Sequence, residues 1–144
     1  MILKNKFLWI AILIFIVDRI AKLFAFSSGN FEKNYGIAFS LLDFPSLRWL
    51  FVAITIAILI FIVYISRRKE VVTSPLLQFS LSLILAGLLS NLTDRVFYGF
   101  IIDYIKISII PTFNLADAAN FAGALLILDW LAKEEHREKS ETRK

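Results

Sequence analysis

Long apolar blocks constrain the fold of this chain more than any other feature of its sequence. The clearest block runs from Leu47 to Ile65 and, after Arg48 at its start, contains only hydrophobic side chains and Thr55. Hydrophobic residues make up 58% of the chain, against about 45–50% in soluble domains. Because this excess lies in unbroken blocks and not at helical or strand spacing, the sequence predicts an integral membrane protein.

Four blocks are long enough to cross a bilayer, which takes about 20 residues. They lie at about 7–26, 47–65, 76–94 and 115–131. The predicted fold class is an all-α membrane protein, with four transmembrane helices in a single domain over residues 1–144. The segments at about 27–46 and 100–110 are expected to form a small extracytoplasmic β platform, because they contain short runs typical of strands. Residues 132–144 form a charged cytoplasmic tail.

The basic residues predict the orientation of the four helices. Two lysines precede the first block, Arg67, Arg68 and Lys69 lie in the loop after the second, and five more follow the fourth. With four spans these ten residues, of 16 lysines and arginines in all, lie on the same side of the membrane. Since cytoplasmic loops are enriched in lysine and arginine, both termini are predicted to be cytoplasmic. The predicted location is the bacterial cytoplasmic (inner) membrane.

The composition excludes several classes of site. The chain has no cysteine, and its one histidine, His136, lies in the charged tail. Disulfides and thiolate nucleophiles are therefore excluded, and Ser-His-Asp catalysis and histidine-rich zinc sites are disfavoured. No metal or other cofactor is expected. The net charge of +4 comes largely from anchoring residues, so no nucleic-acid partner is predicted.

Charged side chains gather toward the outer end of the predicted bundle. They come from three spans and the last outer loop, and they are Asp18, Arg19, Lys22, Asp94, Arg95, Asp103 and Asp117. A charge in hydrocarbon costs about 2.5–3.5 kcal/mol even on the lenient insertion scale. We therefore expect these side chains to face one another at the membrane boundary.

Several of these residues also have a purely structural interpretation. Asp18 and Lys22 have the i,i+4 spacing of an ion pair. Arg95 would neutralise the C-terminal end of its helix, with Asp94 as its partner. Small and polar residues share one face of the third span (Gly87, Ser90, Asn91, Asp94), and Asn114, Asp117 and Asn120 follow at three-residue steps in the fourth. Such faces either line a cleft or pack closely on a neighbouring helix.

Asp103 and Asp117 have no adjacent cation in the sequence and are the strongest candidates for chemistry. Asp103 is separated from Ile105, Ile107 and Ile109 by even numbers of residues. If one continuous strand extended back to it, Asp103 would therefore face the same apolar side. Two carboxylates about 3 Å apart share one proton. The ionised one can then take a proton from water while the protonated one donates to a carbonyl oxygen, which is general acid–base peptide hydrolysis.

Two other functions fit membrane-depth carboxylates. One is a small proton- or cation-coupled transporter, and the other is a structural subunit of a larger complex. A transport relay predicts polar side chains through the whole bilayer, whereas the second span has only Thr55 and the polar residues lie on one side. This one-sided distribution favours a site that opens sideways to the lipid over a channel across the membrane.

Four motifs in order then resemble one family over nearly the whole chain. They are "DRIAK" (Asp18, Lys22), "NYGIAF" (Asn34, Gly36, Ala38, Phe39), "SNLTDRVFYGFIIDYI" (Asn91, Asp94, Arg95, Gly99, Asp103) and "FNLAD" (Phe113, Asn114, Ala116, Asp117). The chain resembles the lipoprotein signal peptidases, the bacterial type II signal peptidases, which are four-span aspartyl proteases. It differs from the usual family pattern at two glycine positions, Ala86 and Ser90, and the serine is expected to narrow the cleft.

The resemblance implies a role for each matching residue. Asp103 and Asp117 would be the catalytic dyad. Substrate-binding residues would be Asn91, Arg95, Asn34 and Gly36, and supporting residues Asp18, Lys22, Asp94 and Asn114. The implied substrate is a prolipoprotein carrying diacylglycerol, cleaved just before its lipidated cysteine near the outer face of the membrane. Globomycin-type cyclic peptides are the implied inhibitors, and a monomer in membrane lipid is expected.

Overall fold

The computed structural model describes residues 5–36 and 44–142. Its helices are α1 (Asn5–Ser28), α2 (Arg48–Ile65), the short α3 (Lys69–Thr73), α4 (Pro75–Phe97) and α5 (Leu115–Glu141). A 3-10 turn at Pro45–Leu47 precedes α2. The four long helices coincide with the four apolar blocks. However, α5 continues through most of the charged tail, where i,i+4 pairs such as Lys133–Asp129 (2.6 Å) accompany it.

Three of the described helices are long and apolar enough to cross a membrane, and they are Pro45–Ile65, Pro75–Phe97 and Leu115–Glu141. The 24 residues of α1 are also sufficient in length. Its apolar sequence is interrupted by Asp18, Arg19 and Lys22. The helices indicate a multi-pass membrane protein.

The central helix is α4, which packs against α5, α1 and α2. Glycines allow α4 and α5 to approach closely. A Cβ atom added at Gly87 would lie 2.4 Å from the carbonyl oxygen of Ala116, and one added at Gly123 would lie 2.7 Å from that of Ser80. Small residues at such contacts are typical of helix packing in membranes. The shared small face predicted for the third span therefore includes a close helix contact.

The β platform consists of two small antiparallel pairs. Strand β1 (Glu32–Asn34) pairs with β2 (Ile101–Asp103), with Glu32 opposite Asp103. Strands β3 (Ile105–Ile107) and β4 (Ile110–Phe113) pair as a hairpin. The platform was predicted, although residues 37–43 of its first segment, including Ala38 and Phe39, lie outside the described residues.

Asp103 does not share one continuous strand with Ile105 and Ile107, so the conditional prediction that they face the same side does not apply. Tyr104 separates β2, which pairs with β1, from β3, which pairs with β4. As a result Asp103 is 1% exposed, whereas Ile109 is 88% exposed. Alternation in sequence predicts a shared face only where the strand is continuous.

The end of α4 turns the chain back toward the bundle. Gly99 has φ +86°, a conformation that glycine adopts at little cost, and its N–H donates to the carbonyl oxygen of Asp94 (3.2 Å). Arg48, from the start of α2, donates to the carbonyl oxygens of Arg95 (2.7 Å) and Val96 (2.5 Å). Arg95 lies in the last turn of α4, but the side chain that donates to these last carbonyl oxygens is that of Arg48.

Candidate active site

A cluster of buried polar side chains lies between α1, α4, the start of α5 and the β1–β2 pair. We call it the polar cluster. Its members are each at most 7% exposed, and they are Asp18, Lys22, Asn34, Ser90, Asn91, Asp94, Arg95, Asp103 and Asn114. Asp117 and Tyr104 adjoin it and are half-buried. The predicted convergence of charged side chains from distant parts of the sequence is therefore present.

Lys22 is a fully buried cation at the α1 side of the polar cluster. Its Nζ atom lies 3.0 Å from Asp18 Oδ2 and 2.8 Å from Asp94 Oδ2, and it donates to Asn91 Oδ1 at 2.8 Å. Arg19 also pairs with Asp94. The alternative in which Asp94 pairs with Arg95 does not apply, because consecutive helical residues point in different directions and Asp94 pairs with Arg19 and Lys22 of α1.

Asp18 connects three parts of the chain. Its Oδ1 atom accepts from the Tyr104 hydroxyl (3.0 Å) and from the backbone N–H of Ala116 (3.2 Å). Its Oδ2 atom accepts from the Ser90 hydroxyl (2.5 Å). The N–H groups of a first helical turn have no acceptor within the helix, so Asp18 helps to cap α5 from α1. Ser90 points toward Asp18, and the expectation that it narrows the cleft was wrong.

Tyr104, which lies between β2 and β3, also connects Asp18 to the start of α5. Its hydroxyl donates to Asp18 and accepts from the backbone N–H of Leu115 (3.2 Å). Burial raises the pKa of Tyr104 well above its ordinary value, and the charge of Asp18 adds to this. The hydroxyl therefore stays protonated and remains a donor to Asp18. The residue after Asp103 is thereby attached to the start of α5.

The carboxylate of Asp103 is held by two asparagine side chains. Asn34 Nδ2 donates to Oδ2 (2.9 Å), and Asn114 Nδ2 donates to Oδ1 (2.6 Å). The orientation of Asn34 is fixed in turn, because its Oδ1 atom accepts from the N–H of Gly36 (2.9 Å). Burial, followed by the charge of Asp117, raises the pKa of Asp103 to about 7. Asp103 is therefore able to carry a proton near neutral pH.

Asp117 is held by a reciprocal cap at the start of α5. The Asn114 backbone N–H donates to Asp117 Oδ2 (3.3 Å), and the Asp117 backbone N–H donates to Asn114 Oδ1 (2.9 Å). This is the pattern of a capping box, and it gives Asp117 a structural role as well. Asn91 Nδ2 donates to Asp117 Oδ1 (2.8 Å). Asn114 thus contacts both Asp103 and Asp117.

A cavity of about 450 Å³ lies beside Asp117, between α2, α4 and α5. Its polar lining consists of Asn91, Arg95, Asp117 and Asn120 together with Thr55, and the rest is apolar (Phe51, Ile54, Ile58, Ile84, Leu88, Ile101, Phe121, Ala124). Ile54 and Phe121 are 46% and 60% exposed, so the lining continues onto the apolar outer surface of the bundle.

The predicted substrate-binding residues occupy two positions. Asn91 and Arg95 line the cavity. Asn34 is 2% exposed and faces Asp103, and the carbonyl oxygen of Gly36 accepts from Arg95 (2.6 Å). Asn34 and Gly36 therefore lie behind the cavity lining and hold Asp103 and Arg95.

Sequence reasoning missed Tyr104 and Arg48. The signal for Tyr104 was a hydroxyl directly after a candidate acid, and the signal for Arg48 was a charge at the start of an apolar block. Within residues 5–36 and 44–142, no group of three or more histidines, aspartates and glutamates could hold a metal ion. The chemical groups that the site presents are two hydrogen-bonded carboxylates and a guanidinium beside an apolar cavity.

Comparison with known proteins identifies the family. A model of signal peptidase (SPase) II matches residues 10–132. A lipoprotein signal peptidase of Syntrophomonas wolfei is 35% identical over 144 residues, which covers 89% of this chain and 93% of that protein. One of Psychromonas ingrahamii is 32% identical over 143 residues, covering 85% and 82%.

Solved structures agree with this assignment. A bacterial membrane enzyme determined by the in meso method at 2.3 Å resolution has a TM-score of 0.84 and 29% identity, covering 92% of this chain and 90% of that one. A second bacterial membrane enzyme, determined in the same way at 1.9 Å, has a TM-score of 0.77. The chain therefore belongs to the signal peptidase II family of membrane proteases.

Proposed function

We propose that this chain is an intramembrane-type aspartyl endopeptidase that removes signal peptides from diacylglyceryl-modified prolipoproteins. Cleavage falls just before the lipidated cysteine. One observation carries the proposal. Two buried or half-buried carboxylates from separate segments, Asp103 and Asp117, both contact Asn114, and Asp117 lines a cavity that continues onto the apolar surface. A substrate anchored in lipid can reach such a site laterally.

The proposed topology has four spans in one domain over residues 1–144, with both termini cytoplasmic. The first span is α1, and its burial pattern supports this. Asp18 and Lys22 are fully buried, while the exposed face of α1 is apolar and includes Trp9, Leu13 and Phe24, 68%, 62% and 72% exposed. The charges are thus compensated inside the protein, as spanning segments require.

This topology puts the dyad near the outer face of the bacterial inner membrane. The turn after α1, the start of α2, the end of α4 and the start of α5 all lie at the strand end of the bundle. The basic loop Arg67–Lys69 lies at the opposite end, which is cytoplasmic by the excess of positive charge. The cavity opens to the outer leaflet in this arrangement.

In the proposed mechanism Asp117 acts as the base and Asp103 as the acid. Asp117 lines the cavity where water and the scissile peptide would meet, so its ionised carboxylate takes a proton from the attacking water. The raised pKa of Asp103 allows it to carry a proton near neutral pH, which it donates to the carbonyl oxygen. Asp117 then passes the proton taken from water to the amide nitrogen, and the C–N bond breaks as one hydroxyl of the tetrahedral intermediate returns its proton to Asp103. The pair titrates as a unit.

The surrounding residues have defined tasks in this mechanism. Asn91 and Arg95, which line the cavity, bind the substrate backbone near the scissile bond. Asn34 and Gly36 lie behind the cavity lining and act on the substrate indirectly, by holding Asp103 and Arg95. Asp18, Lys22, Asp94 and Asn114 keep the dyad in position. Globomycin-type cyclic peptides would compete for the same cavity, and the enzyme acts as a monomer without a metal or cofactor.

The proposal is tested by cleavage of a lipidated precursor with purified enzyme in detergent micelles. Mass spectrometry of the products should give a new N-terminus at the diacylglyceryl cysteine, and precursor without the lipid should be cleaved far more slowly. Asp103→Asn and Asp117→Asn should be inactive. Asp129→Asn is the matched control, since Asp129 is half-exposed on α5 and pairs with Lys133. Cleavage elsewhere, or equal cleavage without lipid, would refute the assigned substrate.

A further inference from the structure

The cavity contains one amide that the proposed mechanism does not use. Asn120 lies three residues after Asp117 on α5, which is about 4.5 Å further along the helix axis from the strand end. It lines the cavity together with Asn91 and Asp117. The three-residue spacing of Asn114, Asp117 and Asn120 predicted that they lie on one side of the helix. It gave no role to Asn120.

Among the residues that the structure describes, the Asn120 side chain has no hydrogen-bond partner. Its Oδ1 atom is buried and without a partner among residues 5–36 and 44–142. That atom lies directly against Gly87, where an added Cβ would be 2.4 Å from it. Contact with the Cα–H of a glycine is a weak substitute for an N–H donor. Because Oδ1 faces α4, the Nδ2 group is the part of the amide that remains for the cavity.

No other lining residue forms a hydrogen bond with this amide in the described part of the chain. The cavity lining includes Leu88, Phe121 and Ala124, whose side chains carry no hydrogen-bonding group. Buried polar groups are almost always hydrogen-bonded in native proteins. The unpaired Nδ2 group is therefore available to donate to a molecule that occupies the cavity.

We infer that Asn120 is a substrate-binding residue whose Nδ2 group donates to a carbonyl oxygen of the bound substrate. The inference rests on the proposed function and adds a contact one helical turn below Asp117. The carbonyl belongs either to the backbone of the signal peptide next to the scissile bond or to an acyl ester of the diacylglyceryl group. Both present the same acceptor chemistry.

A packing role for Asn120 makes different predictions from a binding role. If Asn120 only holds α5 against Gly87, its replacement lowers the melting temperature and reduces kcat without a selective change in affinity. If it binds substrate, an apolar replacement removes an unpaired buried amide from the free enzyme. The melting temperature is then unchanged or higher while substrate affinity falls.

The test compares wild type with Asn120→Leu and, because leucine could press on Gly87, with Asn120→Ala. KM and kcat are measured on a diacylglyceryl precursor, and Kd is measured with a fluorescent precursor in an Asp103→Asn background. We expect KM and Kd to rise about tenfold, which corresponds to about 1.4 kcal/mol, with kcat within about twofold of wild type. Thr93→Val is the control, since the Thr93 hydroxyl donates to the carbonyl oxygen of Leu89 (2.8 Å), outside the cavity lining.

A second substrate identifies the carbonyl. With a dialkyl-ether lipid in place of the diester, a persisting tenfold effect assigns the contact to the peptide backbone, and its disappearance assigns it to the ester. Unchanged KM and Kd in both variants, with normal wild-type cleavage, would overturn the role of Asn120 alone. Absence of wild-type cleavage would instead contradict the proposed function.

Discussion

Replacing Asp103 by asparagine should change how the stability of the protein depends on pH. The folded protein raises the pKa of Asp103 from 3.8 to about 7. Between these values the folded state binds more protons than the unfolded state, so the free energy of unfolding decreases as the pH rises. A difference of about three pKa units corresponds to a loss on the order of 4 kcal/mol between pH 4 and pH 8.

Asp103→Asn removes this titration and should gain relative stability as the pH rises. The asparagine also faces two amide donors, Asn34 Nδ2 and Asn114 Nδ2, and one mismatched contact costs about 1–3 kcal/mol. That cost is the same at both pH values, so it cancels from the comparison. The melting temperature of the variant relative to wild type should therefore rise by roughly 10 °C from pH 4 to pH 8.

The assay is thermal unfolding in detergent micelles followed by tryptophan fluorescence. Ile102→Val is the control, because Ile102 is 1% exposed on the same strand and its substitution costs about 0.5–1.5 kcal/mol without a titrating group. Its melting temperature should be lowered equally at both pH values. Parallel pH curves for Asp103→Asn and wild type would refute the raised pKa of Asp103.

Three further substitutions test the supports of the site. Lys22→Met leaves the buried Asp18 without its cation and Asp94 with Arg19 alone, and should cost about 3–5 kcal/mol; a yield of folded protein and a melting temperature equal to wild type would contradict this. Tyr104→Phe removes two hydrogen bonds at the start of α5 and should cost about 1–3 kcal/mol by thermal unfolding, whereas Tyr98→Phe, at an exposed ring, should have little effect. Gly87→Ala puts a methyl group 2.4 Å from a carbonyl oxygen of α5 and should cost about 1–3 kcal/mol; unchanged unfolding and cleavage would disprove the close helix contact.

The helices and the convergence of charges were predictable because they follow from local composition and from topology. Apolar blocks of sufficient length predict α2 and α4. The high cost of charge in hydrocarbon predicts that Asp18, Lys22 and Asp94 lie together inside the bundle. These arguments need only the order of the blocks and the depth of each residue.

The contacts within the site were less predictable because they depend on long-range pairing. The break at Tyr104 arises from β1, which lies far away in sequence and pairs with β2 but not with β3. The hydrogen bond from Arg48 to the end of α4 forms only because α2 packs against α4. The ion-pair partners of Asp94 come from α1, and a backbone N–H of β2 also donates to it, whereas sequence proximity suggested Arg95.

The central claim is that Asp103 and Asp117 act together on one water molecule. The most direct measurement is kcat for Asp103→Asn, Asp117→Asn and the double variant on the same lipidated precursor, with melting temperatures recorded for each. Groups that act as a unit have non-additive effects, so each single substitution should lower kcat by at least about 10³-fold and the double variant should be no more than about threefold slower than either. Effects that multiply in the double variant, or substantial turnover by either single variant, would contradict the claim.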